Sequence, residues 1–536
     1  MKRKNLIYGV LAVFLSGNTL FAQTQYDVAR IIDTDLSGTA RFVGMGGAMS
    51  ALGGDVTTIG TNPAGIALFR SNDVSGTLSL TNTQVESNFE GIQSQENRTR
   101  MSLDQFGVVL SNPIDDANIR FVNIGMNYRK VRNFSKKMTV YGDLLGMSLT
   151  DQIARMTNND EYGNYNPLPL DDYYQIYNEL GGNYYGSAWS DVSWLGVLGI
   201  QGGLIGPEID DNGVEYEHYI GMEGVADRYS SRETGGVNVF DINISANVDD
   251  RVYLGLTVGF HNVDYNRSSS YTEWGRFDRM DTEYLLKNDF MTEGAGVNAK
   301  LGVIFRPFVE SAFRMGLAVH TPTLYKLSDR HWASLSSSLD NYYGETDVAQ
   351  FDYELLTPWK VNFSLGHTIG TSIALGAEYE YTDYSSAELR YDDGFVMDAE
   401  NEWIDEDLRG VHTFRVGAEV KLIPEFSLRA GYNCSTASFK KGAYKWLYPN
   451  STRTDAEYEN MLDRNAFTLG MGFRTGQIYV DAAYQYTCQN SEFYPFDSMY
   501  SFEDAGVAYP SVDGFLPAAS VKNERSQAIV TVGYRF

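Results

Sequence analysis

Residues 40–69 read A-R-F-V-G-M-G-G-A-M-S-A-L-G-G-D-V-T-T-I-G-T-N-P-A-G-I-A-L-F. The stretch is dense in small residues and runs through Asn62-Pro63-Ala64-Gly65. Gly44, Gly46, Gly47, Gly53 and Gly54 make its backbone thin, and costly to order. Such a segment cannot build a core of its own, but it can be held inside something else. Everything downstream reads as β-strand, so residues 23–72 are expected to plug the inside of a barrel formed by residues 73–536.

The strand reading rests on alternation. Toward the C-terminus, Ala528, Val530, Val532, Tyr534 and Phe536 share one face, against Gln527, Thr531, Gly533 and Arg535; Ile529 is the exception. The runs 478–486, 467–473, 426–432 and 414–420 alternate in the same way. Period two marks half-buried strands. Arg415, Glu419, Lys421, Arg429, Arg474 and Arg535 fall on the non-apolar faces. A dry sandwich core would not take them, whereas a wet lumen would.

Fourteen strands are placed at 73–88, 100–112, 118–134, 236–248, 251–268, 288–306, 311–327, 348–368, 371–391, 410–421, 425–440, 464–474, 477–490 and 524–536. An even count suits a single-chain bacterial barrel. The gaps alternate between short turns and long polar loops, as periplasmic and outside connections do. The fold class is therefore all-β: a transmembrane antiparallel barrel of about fourteen strands with an N-terminal hatch in its lumen.

Composition agrees with that class. Of 536 residues, 43% are hydrophobic and 13% aromatic, with 37 Tyr. A membrane barrel needs apolar side chains only on its outer face, and tyrosine suits the two membrane–water boundaries. The net charge of −27 repels phosphates and excludes a nucleic-acid partner. Residues 1–22 have a basic start at Lys2, Arg3 and Lys4, an apolar run at 6–15, and Ala22 before Gln23, the pattern of a signal peptide. The run is too short to span a bilayer as a helix. Acid doublets such as Asp171-Asp172, Asp210-Asp211 and Asp392-Asp393 read as solvated loops, without calcium-loop spacing.

G-M-G-G-A at 44–48, followed by D-V-T-T-I-G-T-N-P-A-G-I-A at 55–67, is similar to the N-terminal hatch of the FadL/TodX family. These are outer-membrane channels for long-chain fatty acids and other hydrophobic compounds. Stretches 294–325, 374–384 and 412–432 resemble strands of the same family. The resemblance implies passive uptake of a lipophilic ligand through the bacterial outer membrane, gated by the plug, with a sideways exit through a kinked strand into outer-membrane lipid. It carries over Asn62, Pro63, Ala64 and Gly65 as plug residues, with Gly44, Gly46 and Gly47 of the glycine prelude. Residues 123–128, containing Gly125, are the candidate kink. Family members also act as docking partners in protein secretion, so a carrier role with a protein partner at the outer loops is the alternative.

Between residues 133 and 235 a plain barrel does not fit. Leu144-Leu145, Met147-Ser148-Leu149 and Ile153-Ala154 point to a short amphipathic helix within 142–156. The stretch 189–205 is apolar and glycine-rich, with Trp189, Trp194, Leu195, Val197 and Leu198. It reads either as a greasy cap and first landing site for ligand or as a hairpin packed on the barrel rim.

No catalytic set appears. His218, His261, His320, His331, His367 and His412 show no metal spacing, and there is no G-x-S-x-G elbow. No enzyme, cofactor or metal is therefore expected. Cys434 and Cys488 fall on strands eleven and thirteen. Two strand spacings make roughly 9–10 Å, too far for a disulfide, whose Cα atoms lie within about 7 Å.

Overall fold

A computed structural model describes residues 23–115, 118–160, 163–178, 192–277, 280–498 and 516–536; the expected signal peptide at 1–22 lies outside them. The wall consists of β1 (Asp73–Phe89), β2 (Ile92–Pro113), β3 (Ile119–Asn133), β4 (Glu223–Val248), β5 (Val252–Phe277), β6 (Met280–Phe305), β7 (Arg314–His320 and Leu324–Ser337), β8 (Ala349–Leu356 and Lys360–Ile369), β9 (Ile373–Asp383 and Glu388–Tyr391), β10 (Gly410–Ile423), β11 (Phe426–Ser435), β12 (Tyr458–Thr475), β13 (Ile478–Tyr494) and β14 (Ala519–Arg535). Each pairs antiparallel with its neighbour, and β1 pairs with β14 from Asp73↔Arg535 to Asn88↔Ser520, which closes the barrel at fourteen strands.

The outside of the barrel is greasy. Phe240, Ile242 and Ile244 of β4, Leu254, Leu256, Val258 and Phe260 of β5, and Phe467, Leu469, Met471 and Phe473 of β12 are all exposed. Their inward neighbours Asp241, Asn243, Ser245 and Asn247 are buried. This inverted pattern is that of a membrane-spanning barrel. Along β5 the outer face then turns polar at Asn262, Asp264 and Ser268 while the ladder continues. The strand has 26 residues, whereas a tilted strand crosses the bilayer in roughly 9–11. Its upper half stands clear of the membrane.

That overhang corrects two expectations. Strands β4, β5 and β6 run well beyond the boundaries read from alternation, because above the bilayer the outer face carries no apolar periodicity. Two outer connections expected to be long loops are instead hairpin tips. β1 meets β2 through Glu90-Gly91, both at positive φ (48° and 85°), and β5 reaches β6 with Phe277 paired to Met280. A third difference is that β7, β8 and β9 are each broken. Pro322 and Pro358 cannot donate to a ladder, and threonines bridge the gap: Ala299 N donates to Thr321 Oγ1 (3.0 Å) and Thr323 N to Thr357 Oγ1 (2.8 Å). Asn465 of β12 pairs with both Cys434 and Cys488, so the cysteines lie two strands apart.

Residues 23–69 lie inside the wall. They form α1 (Gln25–Ile32), α2 (Ala40–Gly44) and two short 3-10 turns, Val56–Gly60 and Pro63–Leu68. The wall admits them through a row of inward glycines. Gly366 pairs with Gly376, Gly376 with Gly417, and Gly417 with Gly431, across β8 to β11. A Cβ on Gly376 would sit 1.9 Å from Ala48 O, one on Gly417 2.2 Å from Met45 O, and one on Gly431 2.2 Å from Gly46 N. Plug backbone therefore touches wall backbone. The Gly431→Val variant is expected to lift the plug off β10 and β11 at a cost of about 1–3 kcal/mol, while the barrel still closes. Protease sensitivity of residues 40–60 in the folded, heat-resistant barrel measures this; Gly470→Ala, where the nearest atom is 3.2 Å away, is the mild control.

Candidate functional site

The plug is wedged on two sides. Gly44 lies against Gly470, and Gly46 against Val416 and Tyr432. Gly47, at φ 82°, turns the chain beneath Leu36 and Arg415. On the far side Asn62 caps the 3-10 turn, its Oδ1 accepting from Ala64 N (3.1 Å), and its Nδ2 donates to Val303 O (3.3 Å). Pro63 and Ala64 cover Gly255, and Asn243 Nδ2 donates to Pro63 O (3.3 Å). Gly65 packs on Thr58, where a Cβ would come within 2.4 Å of Oγ1. The glycine prelude and the Asn62–Gly65 turn thus grip opposite arcs of the wall.

The lumen beside the plug is charged, as the inward charges led one to expect of a wet lumen, and its charges are tightly paired. Arg415 reaches Glu378 (2.6 Å) and Glu380 (3.1 Å), Arg429 reaches Glu419 and Asp481 (both 2.6 Å), Arg41 of α2 reaches Glu419 (3.0 Å), and Lys300 reaches Asp241 (2.6 Å). Lys421 and Arg474 line a cavity of about 160 Å³ at the turn end of the barrel. An apolar solute gains nothing by descending through this floor.

Between α1 and α2 an ionic latch holds the plug. Asp33 pairs with Arg132 (2.6 Å) and Arg464 (2.9 Å), and Asp35 with Arg525 (2.9 Å) and Arg132 (3.1 Å). Burial by itself would raise both carboxyls; these guanidiniums outweigh it and hold them below the ordinary carboxylate range. Asp35 N also donates to Val131 O (2.8 Å).

Val131 is where the wall gives way. The β2–β3 ladder ends at Gln105↔Arg129. Above it β2 carries an extra residue at Asp104, where its register with β1 shifts, and β3 shifts register against β4 between Lys130 and Arg132. The edge of β3 from Lys130 to Asn133 has no partner in β2. The candidate kink at 123–128 is not the place: both ladders of β3 run unbroken through it. The signal was hidden because a bulge leaves alternation nearly intact. A cavity of about 120 Å³ reaches this edge and is lined by both Arg129 and Lys130. Val131 and Asn133 line it too, so the cavity follows the unpaired edge.

Above the latch an apolar cluster lies beside further buried ion pairs, among them Arg453 with Asp27 of α1 (3.1 Å) and Lys445 with Asp455 (2.9 Å). Tyr26, Val28, Ile31 and Ile32 of α1 pack with Val131, Val263, Phe290, Leu327 and Leu355 of the wall. A further cavity of about 110 Å³ lies there, lined by Tyr26, Tyr265 and Phe493 together with Arg30, Arg267 and Glu457. Over it sits a cap of α3 (Leu149–Asn158), α4 (Leu170–Asn178) and α5 (Trp194–Gln201). The expected helix within 142–156 starts later, at the Ser148–Asp151 capping box. Trp194, Leu195, Val197 and Leu198 are buried in this cap rather than offered as an exposed landing surface. They form a helix apolar on every side, which cannot rest on water. Trp189 lies outside the described residues.

No protein-family model matches the chain, and no curated protein matches its sequence. Among solved structures, a Pseudomonas aeruginosa FadL homologue matches with a TM-score of 0.52 at 14% identity, covering 94% of this chain and 99% of that one. This is the FadL-type fold. The P. putida toluene transporter TodX (TM-score 0.45, 11% identity, 94% of this chain and 99% of that one) and the Ralstonia pickettii toluene transporter TbuX (0.42, 13%, 94% and 99%) are also matched. In this FadL-type barrel no group of three or more His, Cys, Asp or Glu among the described residues is placed to hold a metal ion.

Two outcomes are expected. Asp33→Asn with Asp35→Asn strips buried arginines of their partners, a loss of about 3–5 kcal/mol per broken pair; residues 23–37 should become accessible to protease while heat-resistant migration of the barrel persists. In the cap, burial and then Glu273 raise the Asp151 carboxyl to about 7. A raised folded pKa gives stability that is complete below about pH 4 and lost as pH rises through about 7. Hydrogen exchange at α3, corrected for its intrinsic rate, should therefore quicken between pH 4 and 8, and Asp151→Asn should flatten that dependence.

Proposed function

We propose that the chain is a bacterial outer-membrane channel for passive uptake of hydrophobic compounds, long-chain fatty acids among them, and that ligand leaves sideways between β2 and β3. The observation that carries this reading is the cavity that reaches the unpaired edge of β3. Three features support it. An apolar cluster surrounds α1 above the latch, and below the latch the lumen is densely ion-paired, so straight descent does not favour an apolar ligand. Leu78, Leu80, Met101 and Leu103 are exposed on the outer face beside the break, which supports an opening toward lipid. The fold is shared with a FadL homologue, and the solved neighbours are transporters and channels rather than enzymes.

In this reading Gly44, Gly46, Gly47 and Asn62–Gly65 are gating residues through their grip on the wall. The chain they anchor blocks straight diffusion, and Asp35, bonded to Val131 O, couples the plug to the opening. The cap with Trp194, Leu195, Val197 and Leu198 must part for ligand to enter from outside. Residues 1–22 serve as the export signal, and Gln23, buried in the lumen, begins the plug.

The test closes the gap chemically. With Cys434 and Cys488 replaced by Ser, cysteines at Asp104 and Lys130 are bridged by a short bismaleimide. Bridging is expected to cut uptake of a fluorescent long-chain fatty acid by at least tenfold while leaving barrel assembly intact. Unchanged uptake would overturn the sideways path.

A further inference from the structure

Under the cap, in the strand halves above the membrane, two acids face each other. Asp227 of β4 pairs in the ladder with Glu273 of β5, and the two are 2% and 0% exposed. Like charges directly opposite on a sheet repel. Leu149, Tyr271 and Tyr284, which touch Glu273, belong to a buried apolar cluster, so solvent does little to screen that repulsion.

The surroundings treat the two acids differently. Glu273 collects four donors: Ser148 Oγ, Leu149 N (3.2 Å), Tyr271 OH (2.7 Å) and Tyr284 OH (2.7 Å). Ser148 caps α3 and Leu149 begins it, so Glu273 is the seat of the cap helix, whose N-terminus also favours a negative charge. Neither oxygen of Asp227 has a hydrogen-bond partner. Donors favour the ionised acid and burial the neutral one. Burial raises the Glu273 carboxyl, and its side-chain donors pull it back. Burial and then Glu273 push the Asp227 carboxyl up to about 8, with no side-chain donor to oppose them.

The other titratable groups around the pair do not relieve it. Tyr271 and Tyr284 donate to Glu273, and Asp151 of α3 adds a third acid beside it. Arg155 of α3 pairs with Asp497 (2.7 Å), and Arg228, next to Asp227 along β4, lies over the Tyr141 ring. Among the described residues no cationic side chain forms an ion pair with Asp227 or Glu273. A divalent cation would want six or more oxygens, and those of Glu273 are already engaged. The occupant that fits is a proton.

We propose that Asp227 and Glu273 form a proton lock on the cap: Asp227 stays a neutral acid, Glu273 carries the charge that seats α3, and release of the Asp227 proton to solvent unseats the helix. With both acids ionised, two anions oppose each other in a dry site. Water then enters between β5 and α3 and displaces the bonds from Ser148 and Leu149. A raised folded pKa gives stability that is complete below about pH 4 and lost as pH rises through about 8. The consequence for transport rests on the reading of the cap as the outer entrance.

The experiment uses the full-length chain carrying Asp151→Asn, which removes that neighbour's titration. Hydrogen exchange at residues 149–158, corrected for its intrinsic rate, is followed from pH 6 to 9, and uptake of a neutral fluorescent hydrocarbon is measured over the same range. Exchange should quicken at least tenfold, and adding Asp227→Asn, which keeps the shape of the neutral acid, should remove most of that rise; heat-resistant migration checks folding. No rise, or a rise that survives Asp227→Asn, overturns the lock. Slow exchange restored at pH 9 by calcium makes a metal the occupant and overturns it as well. If exchange responds as expected while uptake does not, the lock stands and the cap is not the entrance.

Discussion

Contact between backbones is the constraint on which this structure depends. A fourteen-strand barrel is wide, and side chains alone would fill it with a core. Here the row Gly366, Gly376, Gly417 and Gly431 removes the side chains along one arc, and Gly255 and Gly302 do so along another. The plug fits only because both partners are thin at the same places. A plug glycine facing a bulky wall residue, or the reverse, would leave no room for the chain. Close packing of this sort fixes position more tightly than charge pairs can, because it tolerates shifts of only a few tenths of an ångström.

Charge has the second role. The lumen holds buried ions that are expensive unless paired, and almost every one finds a partner across strands or between wall and plug. Asp33 and Asp35 tie the plug to β3, β12 and β14 at once. One consequence is a floor hostile to apolar solutes. The latch and the break in the wall also share an atom: Val131 O, turned inward by the β3 bulge, is the acceptor for Asp35 N. Movement of the plug near Asp35 and the geometry of the opening are therefore mechanically joined.

The cap and the barrel respond to different solvents. Below the level of Phe260 the outer face answers to lipid and stays apolar; above it the same strands answer to water and turn polar. The inward face carries ion pairs at both levels, with Tyr, Val and Leu side chains added around α1. A strand such as β5 thus changes its outer pattern along its length while its ladder runs without interruption.

Much of this was legible in the sequence. Alternation placed all fourteen strands, because a wall residue within the bilayer faces either lipid or lumen, and the two demand opposite chemistry. The glycine-rich stretch at 40–69 announced a chain with no core of its own. Three things were decided only by tertiary structure. The overhanging strand halves were invisible because water on the outer face imposes no period. The fate of Trp194–Leu198 turned on whether other helices cover it, which local hydrophobicity does not say. The break at Lys130–Asn133 depends on where a neighbouring strand stops pairing, and missing hydrogen bonds leave no mark on residue type.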